Sequence, residues 1–186
     1  MADRPKKLLL TGPPGCGKTT VVDRLADRLA DLRLAGFYTA EIRQAGRRVG
    51  FEAIGWGGQR AVLARLGAAS CVRVGRYGVD PTALAPLIEE ELERPVAAVD
   101  VFLVDEIGKM EMANPRFAEA VGRILDNSVP GVATVALRGG GLIAAVKARK
   151  DVRLVMVTDT NRDQLPEELE GWVRGVLPWP GGGFSE

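Results

Sequence analysis

The sequence predicts a three-layer α/β fold built on a mainly parallel sheet, and three observations predict it. Apolar runs at residues 7–10, 99–104, 132–137 and 152–157 have the unbroken character of strands buried on both faces. Segments with helical spacing of apolar residues lie between them, as parallel crossovers require. One stretch, 36–67, alternates polar and apolar residues instead and reads as an antiparallel insertion or edge.

Taken in order, Lys7-Leu8-Leu9-Leu10 is a short buried strand running into a glycine-rich turn. Val21, Val22, Leu25, Leu29 and Leu32 share one face of a helix expected from Lys18 to about Arg33. Turn signals at Ala45-Gly46 and Gly57-Gly58 divide 36–67 into two or three antiparallel strands. Asp80-Pro81 opens a helix to about Glu93, and Pro86 within it should kink the helix or shift its start. Residues 99–104 form the next buried strand. Asn114-Pro115 then caps a helix carrying Phe117, Val121, Ile124 and Leu125 on one face. Two further buried strands, 132–137 and 152–157, precede a last helix marked by Leu165, Leu169, Trp172, Val173 and Val176. No linker or internal repeat interrupts the chain, so a single domain is expected over 1–177, with 178–186 a flexible tail.

The 186 residues carry a net charge of +1 with 26% charged side chains, a balance that argues against a nucleic-acid or anionic-membrane partner. With no histidine, imidazole catalysis and His-ligated zinc are excluded, and any metal is an oxygen-bound, Mg²⁺-like ion. Cys16 and Cys71 stand too far apart to suggest a metal spacing or a disulfide framework. The apolar run after Lys6-Lys7 stops at once in Gly-Pro, too short for a signal peptide or a membrane span, and cytoplasmic residence is expected.

Gly12-Pro13-Pro14-Gly15-Cys16-Gly17-Lys18-Thr19 satisfies G-x-x-x-x-G-K-[ST], between a strand and a helix as that motif requires. Such a Walker A loop wraps phosphates with inward N–H groups, helped by the positive end of the following helix. Lys18 is expected on the β- and γ-phosphates and Thr19 on Mg²⁺, with Thr20 beside them; Cys16 is a small residue that fits the loop. Asp105, following the apolar run, is placed as the Walker B acid of the metal. Glu106 should emerge at the strand's C-terminal edge, where ligands gather in open α/β sheets, placed to deprotonate water. Lys109 either approaches the phosphates or is an ordinary surface charge, and Glu111 reads as exposed.

With GPPGCGKTT, GFYTAEIR followed by GFEAIG, VDEIGKMEM and TDTNRDQLPEEL, the chain resembles the THEP-type nucleoside-triphosphatases, from Lys7 to about Val173. Vertebrate members are called cancer-related nucleoside-triphosphatase. The resemblance implies a RecA-like P-loop fold in which one strand separates the acid-bearing strand from the phosphate-loop strand. It also implies slow Mg²⁺-dependent hydrolysis of several nucleoside triphosphates (ATP, GTP, CTP and UTP), with Lys18 and Thr19 on phosphate and metal, Asp105 on Mg²⁺ and Glu106 on water.

Three other functions compete. A small-molecule kinase shares the loop, but needs an acceptor pocket and a closing lid, and the Asp-Glu pair suits water better. A GTP-dependent switch matches D-x-x-G at 105–108, yet Asn161-Arg162-Asp163-Gln164 has glutamine where the guanine-reading acid belongs. An NTPase working on RNA or a protein partner would use a basic face of Arg43, Arg47, Arg48, Arg60 and Arg65, which also reads as a solvated sheet edge. Self-association is equally open. Asn161 and Arg162 are the candidate base contacts, the alternative being that Asn161 and Asp163 cap the last helix. Arg43, Arg138 and Arg149 are candidates for an arginine that neutralises transition-state charge.

Overall fold

The computed structural model describes residues 5–177, so the tail expected at 178–186 lies outside the described residues. The phosphate-loop strand β1 (Lys7–Thr11) lies inside a nine-stranded sheet. Its neighbours are β8 (Gly131–Val135) and β9 (Val152–Met156), both parallel to it. Beyond β8 come β7 (Val101–Ile107) and the first part of β2 (Leu34–Gln44), again parallel. A wing of antiparallel strands continues from β2 through β3 (Arg47–Gly55), β4 (Arg60–Leu66), β6 (Tyr77–Val79) and β5 (Arg73–Val74). Strand β8 therefore separates β7 from β1, the order the resemblance implied.

Strand alternation explains the unbroken apolar runs. Leu8, Leu10, Val101 and Leu103 face one side, against α1 (Lys18–Arg28) and α5 (Leu165–Val176) through Val22, Leu25, Leu169 and Val173. Leu9, Phe102 and Val104 face the other, against α3 (Pro115–Asp126) and α4 (Leu142–Ala148) through Phe117, Val121, Ile143 and Val146. Both faces exclude water, so apolar residues follow one another without the alternation of a half-exposed strand.

Several sequence expectations need correction. Helix α1 stops at Arg28, not Arg33. The Leu29 amide still bonds back to Leu25 and Ala26, but Arg33 is claimed by Asp100, whose carboxylate accepts its main-chain N–H (2.8 Å) and guanidinium (2.7 Å). That pairing extends the chain into β2. The acid-bearing strand runs over 101–107 rather than 99–104, so Asp105 and Glu106 belong to it instead of following it. Strand β9 is an edge rather than a buried strand: Leu154 and Met156 are 45% and 47% exposed. The 36–67 stretch holds three strands, of which β2 also joins the parallel core, and the short β5, β6 and α4 were not foreseen. Pro86 shifts the helix start as expected, to α2 (Ala85–Leu87), which passes directly into a π-helical turn (Ile88–Leu92). Asn114 caps α3 as expected, its Oδ1 accepting from the Arg116 N–H at 2.9 Å.

Gly36 ties the wing to the core. It has φ +114°, and a Cβ there would lie 2.0 Å from the Leu103 carbonyl oxygen. Its N–H donates to buried Glu91, which also accepts from the Gly57 N–H at 2.9 Å. Gly36→Ala combines a backbone clash with a disfavoured conformation and is expected to cost about 3 kcal/mol or more. Urea unfolding measures this; a midpoint unchanged from wild type contradicts the packing described.

Candidate active site

The phosphate loop joins β1 to α1 at the C-terminal edge of the sheet. Gly17 caps α1 with φ +103°, a left-handed conformation that favours glycine, and the helix begins at Lys18. The Lys18 ammonium curls over its own loop, 3.2 Å from the Gly12 carbonyl oxygen and 3.4 Å from that of Pro13. Cys16 is buried among the core residues beneath, whereas Pro13, Pro14, Gly15 and Thr20 are exposed at the rim.

Across from the loop, β7 delivers its acids where the pairing with β8 becomes irregular, between Val104 and Ile107. Asp105 is buried, and three hydroxyls surround its carboxylate: Thr19 at 2.8 Å, Thr134 at 2.5 Å and Thr39 at 3.5 Å. Burial pushes the Asp105 carboxyl above its ordinary value, while the Thr134 and Thr19 hydroxyls and the Lys18 charge oppose the rise. Glu106 reaches within 4.0 Å of the Lys18 ammonium and keeps about a third of its side chain exposed. Burial raises its pKa too, Lys18 opposing and Asp105 adding to the shift.

A hydroxyl and a carboxylate already in contact, Thr19 and Asp105, are hard oxygen donors that suit Mg²⁺. Among the described residues there is no cluster of three or more Asp, Glu, Cys or His side chains able to hold a metal. A Mg²⁺ ion on this pair would take its other ligands from phosphate and water.

The loop and Glu106 line a cleft of about 560 Å³, closed in by Tyr38, Thr39, Glu41 and Phe51 from the wing and by Asp23 of α1. A second hollow of about 420 Å³ adjoins it, sharing Pro14, Thr39, Phe51 and Glu106 and adding Val74, Lys109, Met110 and Glu111. The wing, expected as an antiparallel insertion or edge, is thus a wall of the cleft.

The sequence did not single out Thr134 and Thr39, although Thr134 is the only polar residue in the run VATVAL. Glu111 is a plain correction: it is buried, 5% exposed, not a surface charge, while Lys109 is exposed at the rim of the second hollow. Asn161 has its amide engaged within its own turn, accepting from the Thr158 N–H and donating to the Met156 carbonyl, both at 2.8 Å. It does not cap α5, and Asp163 pairs with Arg24 instead. Arg162 packs its methylenes over Gly17, 3.2 Å from where a Cβ would stand, and pairs with Asp159 at 3.0 Å. Of the three candidate arginines, Arg149 precedes β9 and pairs with Asp126 and Asp151. It stands beyond the end of the sheet opposite the phosphate loop, about 16 Å away along the strands. Arg43 is held on Glu41 at 2.6 Å, and Arg138 is exposed.

A sequence profile for a family described as NTPase matches residues 7–170 of this chain. The chain belongs to that NTPase family. Among its relatives, the nucleoside-triphosphatase THEP1 of Thermotoga sp. (strain RQ2) is 37% identical over 163 residues, spanning 88% of this chain and 92% of the relative. The cancer-related nucleoside-triphosphatase of Homo sapiens is 36% identical, spanning 88% and 94%. In three dimensions, the crystal structure of THEP1 from Aquifex aeolicus superposes with a TM-score of 0.82 at 33% identity, covering 90% of this chain and 98% of that one. The solution structure of the human protein superposes with a TM-score of 0.79 at 34% identity. This NTPase is therefore of the THEP1 type in sequence and in fold. No helix among its described residues is long and apolar enough to cross a membrane.

Proposed function

We propose that this chain is a Mg²⁺-dependent nucleoside-triphosphatase that hydrolyses ATP, GTP, CTP and UTP with little base selectivity and turns over slowly in isolation. The observation that carries the reading is the Glu106 carboxylate 4.0 Å from the Lys18 ammonium on the wall of the phosphate-loop cleft, in a chain of the NTPase family. Lys18 takes the β- and γ-phosphates. Thr19 and Asp105 hold Mg²⁺, which when bound neutralises charge on the phosphate oxygens. Glu106 accepts a proton as a water oxygen bonds to the γ-phosphorus and the bond to the β-phosphate oxygen breaks. Slow turnover follows from the arginines: Arg149 is remote, Arg43 is paired and Arg138 is exposed, so none is fixed in the cleft.

Poor base selectivity follows from the loop before α5. Strong discrimination needs a placed donor–acceptor pair that the wrong base leaves unsatisfied. Asn161 has spent its amide on Thr158 and Met156, which leaves the guanidinium plane of Arg162 to stack on any base. Phosphate release from the four triphosphates, with Mg²⁺ and no added acceptor, tests the whole reading. The kcat/KM values are expected to agree within about tenfold, about 1.4 kcal/mol. A thousandfold preference for one base, or release only when an acceptor is added, would overturn it in favour of a switch or a kinase.

A further inference from the structure

Glu111 is an acid in the wrong place for a surface charge. It opens a 3₁₀ turn, Glu111–Ala113, that folds back under the end of β7, with the Met112 amide bonded to the Gly108 carbonyl at 3.2 Å. Its carboxyl and that of Glu106 both close on Gly108, where a side chain would otherwise stand. A Cβ on Gly108 would lie 2.8 Å from Glu111 Oε2 and 2.9 Å from Glu106 Oε1. Both acids also line the same hollow beside the phosphate loop. Among the described residues no lysine or arginine forms an ion pair with Glu111, and Glu106 itself is drawn to Lys18 on its other side.

We propose that Glu111 is a positioning residue for Glu106, its buried carboxyl fixing the orientation in which Glu106 faces the phosphate loop. Burial pushes the Glu111 carboxyl up to about 8, the Glu106 and Asp105 charges adding to the shift while its own and the Gly108 backbone N–H groups oppose it. In its neutral form Glu111 carries a proton it can donate towards an oxygen of Glu106, where two ionised carboxylates would repel. Gly108 is the spacer: only a residue without a Cβ lets the two side chains close over the backbone. The inference rests on the reading of Glu106 as the base.

The test is a set of variants assayed in the full chain for kcat, KM and affinity for a non-hydrolysable Mg·ATP analogue. Glu111→Leu is expected to lower kcat about tenfold or more with analogue affinity unchanged, whereas Glu111→Gln, which keeps the length and a donor, stays within about threefold of wild type. Introduced into Glu106→Gln, Glu111→Leu is expected to change the residual rate by less than about twofold, because a residue acting through Glu106 has nothing left to act on. Gly108→Ala, which wedges the carboxyls apart, should repeat the Glu111→Leu pattern and stands in for it if that variant does not fold. Wild-type kcat in Glu111→Leu or Gly108→Ala overturns the proposal, as does an equal loss in both backgrounds. A wild-type rate in Glu106→Gln alone instead removes the base assignment itself, and is read independently of Glu111.

Discussion

Lys18→Ala is expected to remove productive triphosphate binding. The ammonium is the cation at the centre of the loop, held by the Gly12 and Pro13 carbonyls and flanked by Glu106. Losing one charge-assisted contact to phosphate in such a setting costs about 3 kcal/mol or more, on the order of a hundredfold in Kd. No second lysine takes over, because Lys109 opens onto the adjoining hollow rather than the phosphate-loop cleft. Calorimetric titration with Mg·ATP and phosphate release, on protein whose thermal unfolding is unchanged, measures the effect. Near-normal affinity together with near-normal turnover would refute the phosphate-loop assignment.

The two acids are expected to separate on mutation. Glu106→Gln retains Mg·ATP binding but lowers kcat by about a hundredfold or more, the usual scale for loss of a general base. Its side chain touches the cleft wall and is a third exposed, so the amide is accommodated without repacking. Asp105→Asn acts differently. Its carboxylate is buried among the Thr19, Thr134 and Thr39 hydroxyls, and the change removes a charge from the expected Mg²⁺ pair. Both turnover and the Mg²⁺ concentration required for half-maximal rate should suffer. Wild-type hydrolysis by Glu106→Gln, or an unaltered Mg²⁺ dependence in Asp105→Asn, contradicts these roles. The contrast also distinguishes loss of a base from loss of a metal ligand, which a fall in rate alone does not.

Some of the site is written in short stretches of sequence. The phosphate loop depends on glycine positions and one Lys-Thr pair, all within eight consecutive residues, so its backbone chemistry is local. The buried parallel strands are equally legible, because burial on both faces favours apolar residues at successive positions, and Leu8–Leu10 and most of 132–137 show it. The same rule misled at 152–157, where apolar composition alone did not show that β9 lies at the sheet edge. Edge position is a property of strand order, and strand order is set by crossovers rather than by the strand's own residues.

By itself, then, the sequence determined the strand–loop–helix that cradles phosphate, the two acids ending a buried strand, and the α/β class. Tertiary structure decided everything that depends on a residue's distant neighbours. It brought Thr134, 29 residues from Asp105 in sequence, onto that carboxylate, and turned the wing into a cleft wall. It carried Arg149 to the far end of the sheet and into its pairs with Asp126 and Asp151, and engaged Asn161 within its own turn. It also buried Glu111, which by sequence reads as an exposed charge on the loop after the acid-bearing strand. Periodicity reports which face of its own element a side chain occupies; whether water, a carboxylate or a helix covers that face is settled only when the other layers close over it.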